Sequence, residues 1–157
     1  MNEDYVKWMR LAICQAKAAE NKGEVPIGAV MVSQTGELLS KAHNETILQN
    51  DPTAHAEILT IRKAAEQLRN YRLLNTTLYV TVEPCVMCMG AIIHARIAKL
   101  VYAARDPKWG ACGSLYDFST DCRFNHRVKV IGGVGEEESK CLIQGFFKAK
   151  RVKIFDQ

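Results

Sequence analysis

Apolar positions recur with a helical period from the start of the chain. Asn2, followed by Glu3 and Asp4, has the character of a helix start, and Tyr5, Trp8, Met9, Ala12, Ile13 and Ala16 repeat at three- and four-residue spacing until Gly23 ends the pattern. This predicts an amphipathic first helix. Ile27 to Ser33 is then an apolar run, Gln34-Thr35-Gly36-Glu37 has turn chemistry, and Leu38 to Ala42 returns as a second strand, so a β-hairpin follows. After the polar stretch His43 to Asp51, Thr53 is placed to cap a helix running to about Arg69, with Ile58, Leu59, Ile61, Ala65 and Leu68 on its buried side. Thr77 to Val82 predicts a third strand. Pro84 fits the first turn of a short helix continued by Met87, Ala91, Ile92 and Ala95. Lys99 to Ala104 predicts a fourth strand, Val128 to Ile131 a fifth, and Glu136 to about Arg151 a closing helix, with a loop around Gly110 and Gly113 between.

Strands that alternate with helices after one hairpin predict an α/β fold, a three-layer α/β/α sandwich around a mixed, mostly five-stranded sheet. No internal repeat, low-complexity tract or Pro/Gly/Ser linker breaks the pattern, and 157 residues suit one domain, expected to span 1–157. Hydrophobic residues at 48% and charged residues at 24% are ordinary globular usage. No run approaches the roughly 18 apolar residues of a membrane span. The opening Met-Asn-Glu-Asp has no charged segment followed by an apolar one, so a soluble cytoplasmic protein is expected.

Charge adds one asymmetry. Residues 1–95 carry 9 basic and 10 acidic side chains, residues 96–157 carry 12 and 7, so the positive excess is C-terminal. Between Lys140 and Lys153 five basic residues occur without an acid, interleaved with Phe146 and Phe147. Such a face can neutralise phosphates while an aromatic ring meets a splayed base.

The chemistry concentrates in His55-Ala56-Glu57 and, 26 residues later, Pro84-Cys85-Val86-Met87-Cys88. One imidazole and two thiolates suit zinc, and three protein ligands rather than four leave an open position for water, as in catalytic sites. Both groups fall at predicted helix N-termini, whose free amides and positive dipole ends favour thiolates. Glu57, two residues beyond His55, is a carboxylate that can serve as general acid and base without replacing the water, whose pKa zinc lowers from 15.7 to about 7. Of the six cysteines only Cys85 and Cys88 are closely spaced. Cys14 and Cys141 are expected to be small buried hydrophobes, Cys112 and Cys122 loop residues, and His94 and His126 structural.

His-x-Glu with Pro-Cys-x-x-Cys resembles the zinc-dependent cytidine deaminase-like superfamily. More closely, the chain is similar to the bacterial-type tRNA-specific adenosine deaminases from about Val25 to Arg151. The resemblance runs through Val25-Pro26-Ile27-Gly28-Ala29-Val30, His43-Asn44, Asp51-Pro52-Thr53-Ala54-His55-Ala56-Glu57-Ile58, Glu83-Pro84-Cys85-Val86-Met87-Cys88, Ala104-Arg105-Asp106-Pro107-Lys108, Gly113-Ser114-Leu115, Asn125-His126-Arg127 and Phe146-Phe147.

The resemblance implies hydrolytic deamination of adenosine to inosine at the wobble position of a tRNA anticodon. One zinc ion per subunit would be held by His55, Cys85 and Cys88, with Glu57 as proton shuttle. It further implies that Asn44 hydrogen-bonds the flipped nucleotide and that Ile27 to Ala29 form a pocket wall. Asp106, Lys108, Asn125 and the Phe146-Phe147 end of the last helix would meet neighbouring nucleotides and the loop backbone, Phe147 among them. A homodimer whose sites borrow loops from the partner chain is implied as well. Trp109 and Cys112 depart from the family's pattern, which expects a smaller residue and an alanine there. The same zinc chemistry serves deaminases of free bases or nucleosides, guanine or cytosine among them, because substrate choice lives in pocket and loops. A catalytically silent RNA-binding subunit is a third class, and Glu57 argues against it.

Overall fold

The computed structural model describes residues 2–155. Its elements are α1 (Glu3–Asn21), β1 (Gly28–Val32), β2 (Leu38–His43), α2 (Ala56–Leu68), β3 (Thr77–Val82), α3 (Val86–His94), β4 (Lys99–Ala104), β5 (Lys129–Ile131) and α4 (Glu136–Phe155). The strands form one sheet in the order β2-β1-β3-β4-β5. β1 is antiparallel to β2 and β3, while β3, β4 and β5 run parallel. The sheet is mixed and five-stranded, as the alternation of patterns predicts.

Strand periodicity sorts side chains onto two faces. Ala29, Met31, Leu78, Val80, Leu100 and Tyr102 pack with Ala56 and Ala64 of α2 and Met89, Ile92 and Ile93 of α3. The intervening Val30, Val32, Tyr79, Val101 and Ala103 pack with Met9, Ala12 and Ile13 of α1, and Leu142 of α4 joins them. Helices α2 and α3 therefore cover one face and α1 and α4 the other, completing three layers. At Gly28 a Cβ would collide with the Ala12 carbonyl and Ala16 amide, so only glycine lets α1 sit this close to β1.

Asn2 caps α1 as expected, its side chain accepting from the Asp4 amide at 2.9 Å, and Gly23 turns the chain with φ +76°. Two boundary expectations fail. Thr53 does not cap α2: its amide and hydroxyl both donate to Asp51 Oδ1, at 2.8 and 2.7 Å, and the capping position falls on His55. Pro84 is not in the first turn of α3, which starts at Val86 with Cys85 in the capping position. Both helices thus place a prospective metal ligand where a capping residue would stand. Among the described residues no helix is long and apolar enough to cross a membrane.

Candidate active site

The C-terminal end of β3 and the N-termini of α2 and α3 converge. His55 Nδ1 lies 3.7 Å from Cys85 Sγ and 3.5 Å from Cys88 Sγ, and the three ligand atoms all lie within 4.8 Å of one another. Tetrahedral zinc with bonds of roughly 2.3 Å to sulfur and 2.0–2.1 Å to nitrogen has nitrogen-to-sulfur edges of about 3.6 Å. The observed edges match that figure, so these residues fit a zinc ion.

Neither His55 nor Cys85 makes a side-chain capping bond to its own helix, which leaves imidazole and thiol turned toward each other. The α2 terminus is capped from elsewhere: Asn44, at the end of β2, accepts from the Ala56 amide through Oδ1 at 2.8 Å. The Asn44 amide in turn donates to the Ile27 carbonyl at 3.1 Å. Hydrogen bonding from Cys88 and the nearby His55 bring the Cys85 thiol down to about 4. The bond to Cys85 and then burial raise Cys88 well above the ordinary thiol range.

Glu57, in the first turn of α2, is 3% exposed, and burial pushes its carboxyl up to about 7. Its Oε2 is the buried side-chain oxygen or nitrogen left without a hydrogen-bond partner among the described residues. Buried polar atoms are almost always paired. An orphaned carboxylate oxygen two residues from an imidazole ligand therefore marks a place where water, substrate or metal completes the site.

The loop after β4 joins this centre through its backbone. Cys85 and Gly110 form an isolated bridge, and the Ala111 amide donates to the Pro84 carbonyl at 2.8 Å. Asp106 Oδ1 accepts from the amides of Lys108 and Trp109 at 3.0 and 3.2 Å, which shapes the turn. Lys108 is exposed, and Trp109 is 67% exposed.

The remaining expected residues are more scattered. Ile27 is half-buried beside Asn44. Ala29 is fully buried inside β1, opposite Ala42 and Val80, with its side chain in the core rather than at an open wall. Asn125 is exposed and accepts from Arg96 Nη1 at 2.8 Å. Phe146 is core and Phe147 is 44% exposed, so only the second ring is free to meet a ligand. Phe147 belongs to α4, on the opposite face of the sheet from α2 and α3.

Two cysteine expectations need correction. Cys14 and Cys141 are exposed, not buried. On α1 the buried positions are Met9, Ala12, Ile13, Ala16 and Ala19, and Cys14 falls one step beyond that stripe. Cys112 is buried in the loop, and desolvation holds its thiol protonated far above the usual range. His126 is structural as expected, its Nε2 lying 2.7 Å from the Ile97 carbonyl.

Two buried carboxylates have no assigned part in the sequence reading. Glu24, after Gly23, accepts from Thr46, Ile47 and Leu48 and so ties down the loop that follows Asn44. Glu83, between β3 and Pro84, is 2% exposed and gathers the loop after β4. The signal for Glu83 was its position, a charge directly after a strand whose last residues are all buried.

Comparison with known proteins agrees with this geometry. The MafB19-like deaminase family matches residues 3–151. The tRNA-specific adenosine deaminase of Haemophilus influenzae is 48% identical over 145 residues, 92% of this chain and 84% of that protein. A structure from studies of A-to-I editing by tRNA:A34 deaminases at the wobble position of transfer RNA superposes with a TM-score of 0.84 at 45% identity, covering 87% of this chain and 98% of that one. Guanine deaminase from Bacillus subtilis reaches a TM-score of 0.62 at 40% identity, covering 67% and 66%. With three side chains that could hold a metal, a buried orphan carboxylate and kinship over nearly its whole length, the chain belongs to the MafB19-like deaminases and to the family of tRNA-specific adenosine deaminases.

Proposed function

We propose that this protein hydrolyses adenosine to inosine at the wobble position of a tRNA anticodon, acting as one zinc-dependent deaminase domain in the cytoplasm. The observation that carries the reading is the orphaned Oε2 of Glu57 beside the His55, Cys85 and Cys88 triad. That pairing is hydrolytic equipment, and the kinship with tRNA-specific adenosine deaminases supplies the substrate.

His55 Nδ1 and the two Sγ atoms would hold the zinc, which when bound supplies the Lewis acidity that brings the pKa of a water from 15.7 to about 7. In the reaction a carbon–oxygen bond forms at C6 of the adenine and the bond from C6 to the exocyclic nitrogen breaks, with water consumed and ammonia released. Glu57 takes a proton from the attacking water, places it on ring N1, and carries the second proton to the departing nitrogen. Burial suits both tasks, since a carboxyl poised near neutrality accepts and returns a proton with little penalty in either direction.

Asn44 would grip the extruded nucleotide. Its Oδ1 is committed to the Ala56 amide, so Nδ2 is the group offered to substrate. Ile27, half-buried beside Asn44, would wall the base, while Asp106, Lys108, Asn125 and Phe147 would contact neighbouring nucleotides and phosphates. Exposed Trp109, Leu115, Tyr116 and Phe124 give the long loop an apolar surface, which supports a homodimer in which each copy covers the other's loop.

The test offers the zinc-loaded protein an anticodon stem-loop with adenosine at the wobble position, beside free adenosine, guanine and cytidine. Inosine in the stem-loop is expected. Turnover of guanine alone would transfer the reading to a free-base deaminase. Light scattering at micromolar concentration reads the oligomeric state.

A further inference from the structure

The buried carboxylate of Glu83 receives four donors from one loop. Its Oε1 accepts from the amides of Cys112 and Ser114 at 3.2 and 3.0 Å, and its Oε2 from the amide of Asp106 at 3.1 Å and from the Ser114 hydroxyl. The bonds reach across 23 to 31 residues of sequence. They span the whole turn from Asp106 to Ser114, while Glu83 itself stands two residues before Cys85. Gly110 sits against the carboxylate so closely that a Cβ there would fall on the Glu83 carboxyl carbon and the Asp106 carbonyl. Space, charge and four converging donors therefore all serve one group.

Ala111 and Cys112 seat the far half of this loop in the core, but the stretch through Lys108 and Trp109 is exposed and has little apolar contact to hold it in one shape. Ordering such a segment at the moment of binding would reduce affinity, and a loop ordered beforehand avoids that cost. The orientation of Asp106 depends on the same anchor, because its amide is held by Glu83 while its own carboxylate shapes the turn through Lys108 and Trp109.

We propose that Glu83 is a positioning residue that fixes the Asp106 to Ser114 loop in its substrate-ready shape beside the metal centre, so that the nucleotides flanking the target meet a preformed surface. The proposal rests on reading this loop as a substrate contact. It predicts a loss in substrate binding that is separable from metal binding, because His55 and Cys85 stand in the capping positions of α2 and α3 and Cys88 in α3, none of them in the loop.

The test compares zinc-loaded full-length Glu83→Ala, Glu83→Gln and Gly110→Ala with the unaltered protein. Both tryptophans are labelled with 5-fluorotryptophan, Trp109 reporting on the loop and Trp8, packed against the other core, serving as internal control. Zinc per chain, the two fluorine resonances, and KM and kcat on the stem-loop are measured. Glu83→Gln keeps the shape and can still accept from Cys112 and Ser114, but it opposes an amide nitrogen to the Asp106 N–H. The expected result is unchanged zinc content, an unchanged Trp8 signal and a shifted, sharpened Trp109 signal, with KM raised about tenfold or more in Glu83→Ala. Glu83→Gln should fall between Glu83→Ala and the unaltered protein, and kcat should change less than KM. Gly110→Ala, which displaces the carboxylate from the other side, should reproduce the Trp109 shift and the KM effect. Loss of zinc in Glu83→Ala, an unmoved Trp109 resonance, or a moved resonance with unchanged KM would each overturn the proposal. Turnover by the unaltered protein tests the substrate reading separately, and if it acts on another substrate the same comparison is made with that substrate.

Discussion

Asn44 holds the start of the helix that carries Glu57: its Oδ1 accepts from the amide of Ala56, the residue between His55 and Glu57. A residue at the end of β2 thus does for α2 what Thr53 was placed to do in sequence. The usual capping position is taken by His55, whose ring faces two thiols instead of the helix.

Two substitutions separate the cap from substrate contact at Asn44. Asn44→Ala removes the acceptor and leaves a buried amide unpaired, so stability should fall by about 1–2 kcal/mol and activity with it. Asn44→Asp keeps the acceptor and adds a charge that suits a helix N-terminus, but it removes the Nδ2 donor. Melting temperature and zinc content should stay near those of the unaltered protein while stem-loop turnover collapses. If Asn44→Asp turns over normally, Asn44 acts as a cap alone.

Glu57 makes opposite contributions to chemistry and to stability. Glu57→Gln should keep zinc and lose about 10²–10⁴ in kcat, the usual share of a general acid and base. In chelator-treated protein the sign for stability reverses. Burial raises the folded-state pKa from 4.5 to about 7, so between those values the unfolded chain holds fewer protons than the folded one and stability declines as pH rises. Glu57→Gln removes that decline. Its metal-free form should be more stable than unaltered metal-free protein at pH 8, with the difference shrinking toward pH 4. Urea unfolding at several pH values checks this.

Sequence made some parts of this molecule legible and hid others, for physical reasons. Thr77–Val82 and Lys99–Ala104 were readable to the residue because both strands lie inside the sheet and read as near-continuous apolar runs. The two halves of the triad were readable because His-x-Glu and Cys-x-x-Cys are each local patterns near a helix start, and the fold brings them together across 30 residues. Cys14 was misread because adjacent positions on a helix differ by only about 100° in direction, and the edge of an apolar stripe is not sharp. Asn44 as a cap and Glu83 as a loop anchor were not legible as such. Their partners lie 12 and 23 to 31 residues away, and such pairings exist only once α2 has packed against β2 and the sheet has brought β3 and β4 side by side.

Metal removal should expose how far the triad supports the fold. Zinc that binds only the folded chain adds its binding energy to stability, so chelation should lower the melting temperature of the unaltered protein. Cys88→Ser lacks one thiolate and should purify with little zinc, melt below the unaltered protein, and show no further drop with chelator. Calorimetric scans with and without chelator provide the measurement, and equal responses in the two proteins would remove Cys88 from the ligand set.

The basic end of α4 offers a test of electrostatics apart from chemistry. Lys148, Lys150 and Arg151 are exposed and follow Phe147, whose ring is also free, whereas Phe146 is buried with Lys150 4.8 Å from its ring centroid. If this face neutralises phosphates, binding of the stem-loop should weaken as salt rises, and each lost contact should reduce the slope of log K against log salt by roughly 0.7–0.9. Replacing all three residues by alanine should flatten that slope by roughly 2–3 and raise KM at physiological salt. The value of kcat should stay near that of the unaltered protein, because Glu57 and the triad, to which the proposed mechanism gives the chemical step, lie on the opposite face of the sheet. Phe147→Ala should raise KM without changing the salt slope, since stacking releases no counterions. A triple variant with the original slope would show that the RNA does not touch this helix.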